Sequence, residues 1–178
     1  MPESLTNLLS EVNTLLGALP YASRTTFYTL AYLQPKDDKT FPIVRRGASE
    51  GYQISPEDSR FQFYHRLIGE SDEPLPDQGK GTDVVKFTTY TFRLVGVGKR
   101  EILTSFTSED NADLARAVKL LLNGKTLSDR SKVWPISTNS DKISIFEEEW
   151  AGYANINKLS LNITVFTIDY NIKQRVVC

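Results

Sequence analysis

The sequence predicts an α+β fold, in which a largely antiparallel, twisted sheet carries two packed helices and a long polar loop. Strand-like segments occur in groups joined by short turns, and they do not alternate singly with helices. Strands grouped in this way usually pair with their sequence neighbours in antiparallel sheets. A chain of 178 residues has the size of one ordinary domain, so we expect a single structural domain over residues 1–178.

Two amphipathic stretches predict the helices. In the first, leucine and valine recur at spacings of three and four residues, Pro2 suits the first turn, and Gly17 suits the C-cap. The second is expected to start at Thr107 or Ser108, because Thr107 and Asp110 form a capping-box pattern. The buried stripes comprise Leu5, Leu8, Leu9, Val12, Leu15 and Leu16 in the first helix, and Leu114, Ala115, Val118, Leu121 and Leu122 in the second.

Alternating apolar and polar residues predict the strands, and a run of acids, prolines and glycines at Glu70–Asp83 predicts a flexible polar loop between them. The segment Val84–Val97 has apolar residues on both faces, which indicates a central strand covered on each side or covered by a neighbouring subunit. The other predicted strands are Thr25–Leu33, Pro42–Arg46, Gly51–Ser55, Phe61–Ile68, Ile102–Phe106, Lys142–Trp150 and Asn157–Val177.

The last strand is unusual because its apolar residues change parity. They occupy odd positions up to Val165 and even positions from Phe166. Since side chains alternate across a strand, this change indicates either a bulge within one sheet or a strand that covers two different surfaces. On the second interpretation Leu161 and Ile163 belong to the subunit core, and we expect a contact with another subunit at Phe166, Ile168 and Tyr170.

The composition restricts the classes of function. With 21 Lys plus Arg and 22 Asp plus Glu, the net charge of -1 provides no overall attraction to nucleic acid. The only cysteine is Cys178, so neither an internal disulfide nor a thiolate metal cluster can form. No signal peptide or membrane-spanning run is evident, so we expect a soluble, unprocessed protein with no membrane association.

The sequence contains no complete catalytic or metal-binding pattern, and we expect no catalytic residue, no metal and no cofactor. His65 is the only histidine, and we expect it to be a partly exposed strand residue. The alternative is a small enzyme that uses His65 as a general base with nearby carboxylates. The segment Gly79–Thr82 lacks the glycine spacing of a phosphate loop, and the acids of the polar loop lack EF-hand spacing.

Three adjacent acids, Glu147, Glu148 and Glu149, precede Trp150. Such a run is usually a solvated turn. Repeated around a ring, it would instead line a channel with negative charge, along which DNA could slide because its phosphates are repelled.

The order of elements resembles the tail terminator and neck ring proteins of tailed bacteriophages. Two passages carry the resemblance, FRLVGVGKREILTSFTSEDNADLARAVKLLLNG and NKLSLNITVFTIDYNI. It implies a non-enzymatic virion protein, made in the bacterial host cytoplasm, that forms a ring homo-oligomer, usually a hexamer, around the DNA channel of the tail or the head–tail connector. Its partners would be further copies of itself and other tail or connector proteins. The alternative is an adaptor or tube-capping module of a bacterial injection apparatus.

Overall fold

The computed structural model describes residues 3–46, 50–74, 85–107, 109–152 and 162–177, and within them the chain forms a seven-stranded sheet and four α-helices. The strand order is β3-β2-β1-β4-β5-β7-β6, and every neighbouring pair is antiparallel except β1 with β4. The predicted α+β class with a largely antiparallel sheet is therefore confirmed. The elements are α1 (Glu3–Leu16), a 3-10 turn (Ala22–Arg24), β1 (Thr25–Lys36), β2 (Lys39–Arg46), β3 (Glu50–Gln53), β4 (Phe61–Pro74), β5 (Val85–Lys99), α2 (Arg100–Thr104), α3 (Asn111–Leu122), β6 (Lys132–Asn139), α4 (Lys142–Glu149) and β7 (Ile163–Val177).

Both predicted helices are present, although α3 starts later than expected. The Asp110 carboxylate accepts hydrogen bonds from the backbone N–H groups of Ala112 and Asp113, so Asp110 is the N-cap. Thr107 does not cap the helix, because its hydroxyl accepts the N–H of Glu109 in a local turn.

The sheet has a hydrophobic core on each face. The front core lies against α1 and α3 and contains Phe61, Phe63, Phe92, Leu94, Phe166 and Ile168. The back core lies against α4 and contains Tyr64, Val95, Val97, Phe146, Trp150 and Val165. Alternate residues of β5 enter the two cores, so the prediction of a central strand covered on each side is confirmed.

The parity change in β7 follows from these two cores and not from a bulge. β7 pairs with β5 without a register shift, from Lys99 opposite Ile163 to Val85 opposite Val177. Ile163 and Val165 lie in the back core, and the even residues that follow lie in the front core of the same subunit. Of the strand predicted over Asn157–Val177, residues 157–161, including Leu161, lie outside the described residues.

The predicted subunit contact at the even residues of β7 is therefore wrong. Phe166, Ile168 and Tyr170 have 0% exposure within the single chain. They are covered by α1 and α3, two helices whose place on the sheet the strand pattern alone did not indicate.

Three further predictions of secondary structure are corrected. The segment Ile102–Phe106, predicted as a strand, begins within α2, and the segment Lys142–Trp150, also predicted as a strand, forms α4. Asp141 caps α4 by accepting the N–H of Ile143. Residues 132–139, which lie in none of the predicted strands, form the edge strand β6.

The predicted polar loop is wrong for residues 70–74, because β4 continues to Pro74 and pairs with β5 there. Residues 69–74 of β4, 85–91 of β5 and 171–177 of β7 pair with one another, and we name this part the sheet extension. Although β5 is central, it is mostly only half-buried over residues 86–91, in contrast to its buried stretch at 94–98. The sheet thus continues past its cores into solvent. Residues 75–84 lie outside the described residues.

Candidate functional site

His65 lies beneath α1 in the front core, where it joins two strands to a helix. The Tyr170 hydroxyl of β7 lies 2.7 Å from its Nδ1, and the Asn13 Oδ1 of α1 lies 2.9 Å from its Nε2. The Asn13 amide nitrogen donates to the carbonyl of Tyr28 in β1 at 3.1 Å. The Asn13 oxygen therefore accepts from Nε2–H. In the neutral imidazole the Tyr170 hydroxyl then donates to Nδ1, so both ring nitrogens of that form are hydrogen-bonded.

The surroundings of His65 favour this neutral form. Its exposure is 0%, and burial lowers its pKa from 6.5 to about 3. Burial also raises the pKa of the Tyr170 hydroxyl well above its ordinary value. The expectation of a partly exposed histidine is therefore wrong. With both ring nitrogens hydrogen-bonded away from solvent, the group positions α1 on the sheet and offers no surface base.

A row of charged side chains crosses the back face. Arg66 of β4 lies opposite Arg93 of β5, Arg93 lies opposite Asp169 of β7, and Asp169 lies opposite Ser137 of β6. The guanidinium of Arg93 binds the Asp169 carboxylate through two nitrogens, at 2.7 and 3.1 Å. This bidentate hydrogen bonding raises the pKa of Arg93.

Glu148 and Glu149 connect α4 to this row. Glu149 contacts Arg66 and accepts a hydrogen bond from the Tyr64 hydroxyl at 3.0 Å. Glu148 bridges Arg66 at 3.1 Å and Arg93 at 2.5 Å. Burial raises the pKa of Glu149, and Arg66 and Tyr64 oppose that shift. These contacts hold the C-terminal turn of α4 on the sheet.

The three acids therefore do not form one channel-facing surface. Glu149 is fully buried, Glu148 is exposed but paired with two arginines, and Glu147 is exposed. Successive residues of a helix point about 100° apart, so three adjacent carboxylates on α4 cannot face the same way. The predicted channel lining is corrected for Glu149. Of these three acids, Glu147 is the exposed one to which no hydrogen bond or ion pair is assigned.

In the described part of the chain, no group of three or more His, Cys, Asp or Glu side chains is placed to hold a metal ion. Two acids of the predicted polar loop are ion-paired instead: Asp72 with Lys86 at 2.6 Å, and Glu73 with Lys173 at 2.5 Å. None of the helices in the described ranges has the length and apolar character needed to cross a membrane.

Two opposite borders of the sheet carry exposed apolar and charged side chains. We name as the acidic border the part of β4 with Leu67, Ile68, Glu70, Asp72 and Glu73, all exposed. We name as the basic border the edge strand β6 with the turn before it, which exposes Lys125, Arg130, Lys132, Trp134 and Ile136. Thr126 pairs with Lys132, and this pairing places the turn beside the start of β6.

Sequence reasoning missed both borders for one physical reason. An edge strand with a solvated face lacks the apolar alternation that identifies a half-buried strand, so the sequence predicts a loop at Glu70–Glu73 and no strand at Trp134–Pro135. One signal was present in the sequence. Trp134 and Ile136 are large apolar residues at period two, a spacing typical of a strand.

The sequence matches no protein-family model, and a search of curated proteins found no match either.

Proposed function

We propose that the protein is a non-enzymatic structural protein of a tailed bacteriophage, which forms a homo-oligomeric ring around the DNA channel at the tail or the head–tail connector. The observation that carries the proposal is the sheet extension. Ile172 and Tyr90 still contact the front core, but beyond them its three paired strands continue past both cores, and its central strand is mostly half-buried. A sheet that extends beyond its hydrophobic cores exposes surface that a partner can cover.

The arrangement of polar groups also supports a structural role. The two most elaborate polar groups, around His65 and around Glu149, hold helices on the sheet through fully engaged side chains. Polar groups used in this way give rigidity to a subunit whose task is assembly. A ring built from one kind of chain needs a pair of different surfaces that repeats until the rotation closes.

The test of the virion role is localisation in particles. Tailed particles assembled from the genome that encodes the chain should contain it in a fixed copy number by quantitative mass spectrometry. Labelled antibodies should decorate the tail or the junction of head and tail in electron micrographs. Absence of the chain from purified particles that are complete and infectious would contradict the proposal.

A further inference from the structure

We infer that neighbouring copies of this chain contact each other through the acidic border of one subunit and the basic border of the next. The inference rests on the proposed ring and adds the surfaces that would build it. The partner is therefore a second copy of the same chain. Both borders belong to the same group of strands, β4-β5-β7-β6.

The topology places the borders on opposite sides of this group. β4 pairs with β1 only from Phe61 to His65, and beyond His65 no described strand lies along that edge. β6 is the last strand on the other side in the described sheet. Two different patches on opposite sides of a subunit are what a heterologous, head-to-tail contact uses.

The two borders are complementary in charge. The acidic border has three carboxylates and no basic residue within 67–74. Asp72 and Glu73 are paired with Lys86 and Lys173 of the same subunit, so Glu70 is the acid of this border to which no ion pair is assigned. The basic border has three cations, Lys125, Arg130 and Lys132, and its one acid, Asp129, accepts hydrogen bonds from Ser131 and Gln174. Opposite charge across a contact speeds encounter and disfavours wrong pairings.

Exposed apolar side chains occupy both borders as well. Leu67 and Ile68 are each 40% exposed, Trp134 is 49% exposed and Ile136 is 53% exposed. They are half of the eight large hydrophobic side chains exposed among the described residues. Each border therefore combines exposed apolar side chains with charges that are mostly of one sign, a mixture typical of protein contacts.

The contact must be made by side chains, because both edges are unsuited to backbone pairing. The register of β4 shifts between Leu67 and Gly69, and that of β6 shifts between Pro135 and Ser137. Pro135 has no N–H group, and both backbone groups of Val133 are bonded to residues 124 and 125. Bulges and proline are common means of preventing strand addition at an edge.

Charge reversal tests the contact. Glu70→Lys with Glu73→Lys makes both borders positive, and Lys125→Glu with Lys132→Glu makes both negative. We expect each double variant, measured alone, to associate at least about tenfold more weakly than the parent, since like charges then face each other. The matched control is Glu57→Lys with Glu101→Lys, which changes the same charge at exposed acids outside the borders and should assemble like the parent.

Rescue separates this contact from general damage. An equimolar mixture of the two double variants should assemble again, with the variants alternating, because each positive border then meets a negative one. The quadruple variant should also assemble alone. Mass photometry gives the assembly sizes, and circular dichroism checks that each variant is folded.

The outcomes distinguish the contact from the ring. If the parent assembles and the double variants assemble equally well, the border contact is wrong and the ring stands. Double variants that fail, with neither the mixture nor the quadruple variant restoring assembly, also contradict the charge pairing. A parent that remains monomeric at all concentrations, and is absent from particles, overturns both proposals.

Discussion

His65 and its partner Asn13 together link β4, β7, α1 and β1 through three hydrogen bonds. The neutral state of His65 has a consequence for stability. The pKa of His65 is about 3 in the folded chain and near its ordinary value of 6.5 in the unfolded chain. The unfolded state therefore binds a proton first as the pH falls. The stabilisation is fully present above pH 6.5 and is lost progressively as the pH decreases toward 3.

We predict that the free energy of unfolding of the parent decreases between pH 7 and pH 5.5 with a slope that approaches about 1.4 kcal/mol per pH unit. His65→Gln should be less stable at pH 7.5 but nearly independent of pH over this window, because it removes the titrating group. Urea denaturation at four pH values measures both slopes. Equal slopes in parent and variant would show that His65 is not the source of the pH dependence.

Glu149 and Glu147 lie two residues apart, but Glu149 is buried and Glu147 is exposed. The same substitution at both positions therefore compares a buried with an exposed glutamate. Glu149→Gln should cost about 1–3 kcal/mol of stability, since it weakens the buried contact with Arg66 and alters the bond from Tyr64. Glu147→Gln, at an exposed position, should change little. Thermal melts of both variants decide the question, and equal melting temperatures would contradict the assignment of Glu149 to the fold.

Phe166 provides the direct test of where the second half of β7 points. It packs edge-on against Phe63, with ring centroids 5.9 Å apart, and lies over Gly96. Phe166→Ala should therefore cost about 3–5 kcal/mol through the cavity it leaves. Leu120→Ala, at a 68% exposed position of α3, is the control and should be nearly neutral. A Phe166→Ala variant as stable as the parent would place this side chain outside the core.

At the scale of elements, the β1–β2 turn meets the turn that follows α4. Asp37 and Asp38 both have positive φ in a two-residue hairpin turn, and Thr40 donates its N–H to the carbonyl of Ala151 at 2.8 Å. Gly152 has φ +78°, and an added Cβ would overlap the carbonyl oxygen of Asp38. Gly152 thus permits the close approach of the two turns.

We predict that Gly152→Ala is more destabilising than Gly124→Ala. Gly124 has a similar φ of +68°, but an added Cβ would meet only the Trp134 ring at 3.9 Å, an ordinary van der Waals distance. The cost of Gly124→Ala should therefore be the backbone strain of about 1–2 kcal/mol. Gly152→Ala adds an overlap with backbone atoms, which costs about 1–3 kcal/mol more. Chemical denaturation compares the two. An equal loss of stability would mean that the turns do not need this approach.

The sequence predicted those elements whose apolar pattern is set by a single core. The leucines of α1, the stripe of α3 and the two-sided pattern of β5 each match the buried residues of the structure. The prediction failed for α4, because Ile143 and Ile145 alternate as they would in a strand. In the structure Ile143 is exposed, and the buried residues Ile145, Phe146 and Glu149 follow helical spacing. The Asp141 cap was the available signal for a helix.

The site residues were harder to predict, because their surroundings come from distant parts of the chain. His65 is buried by contacts with residues 52 and 105 positions away, and Glu149 binds residues more than 80 positions away. No local pattern encodes such contacts. The sequence located the parity change in β7 correctly. It did not predict that α1 and α3 of the same subunit cover the second half of this strand.

At the scale of the whole molecule, two covered faces stabilise one part of the sheet, and its extension and two unlike borders are the surfaces that we propose for assembly. On this proposal, folding and association depend on different residues. Variants in the cores should lower the melting temperature, and variants in the borders should change the assembly size of a folded chain. Within one subunit the side chains of His65 and Glu149 are fully hydrogen-bonded or ion-paired, whereas in the described sheet no strand lies along the β1-side edge of β4 beyond His65 or outside β6.

The most direct test of the proposed ring is the mass of the purified chain measured by light scattering over a concentration series. We predict a closed assembly whose mass is a fixed multiple of the 20.1 kDa subunit, with six copies expected, and whose size does not grow further as concentration increases. A chain that remains at 20.1 kDa throughout, or that grows without limit into open filaments, would contradict a closed ring.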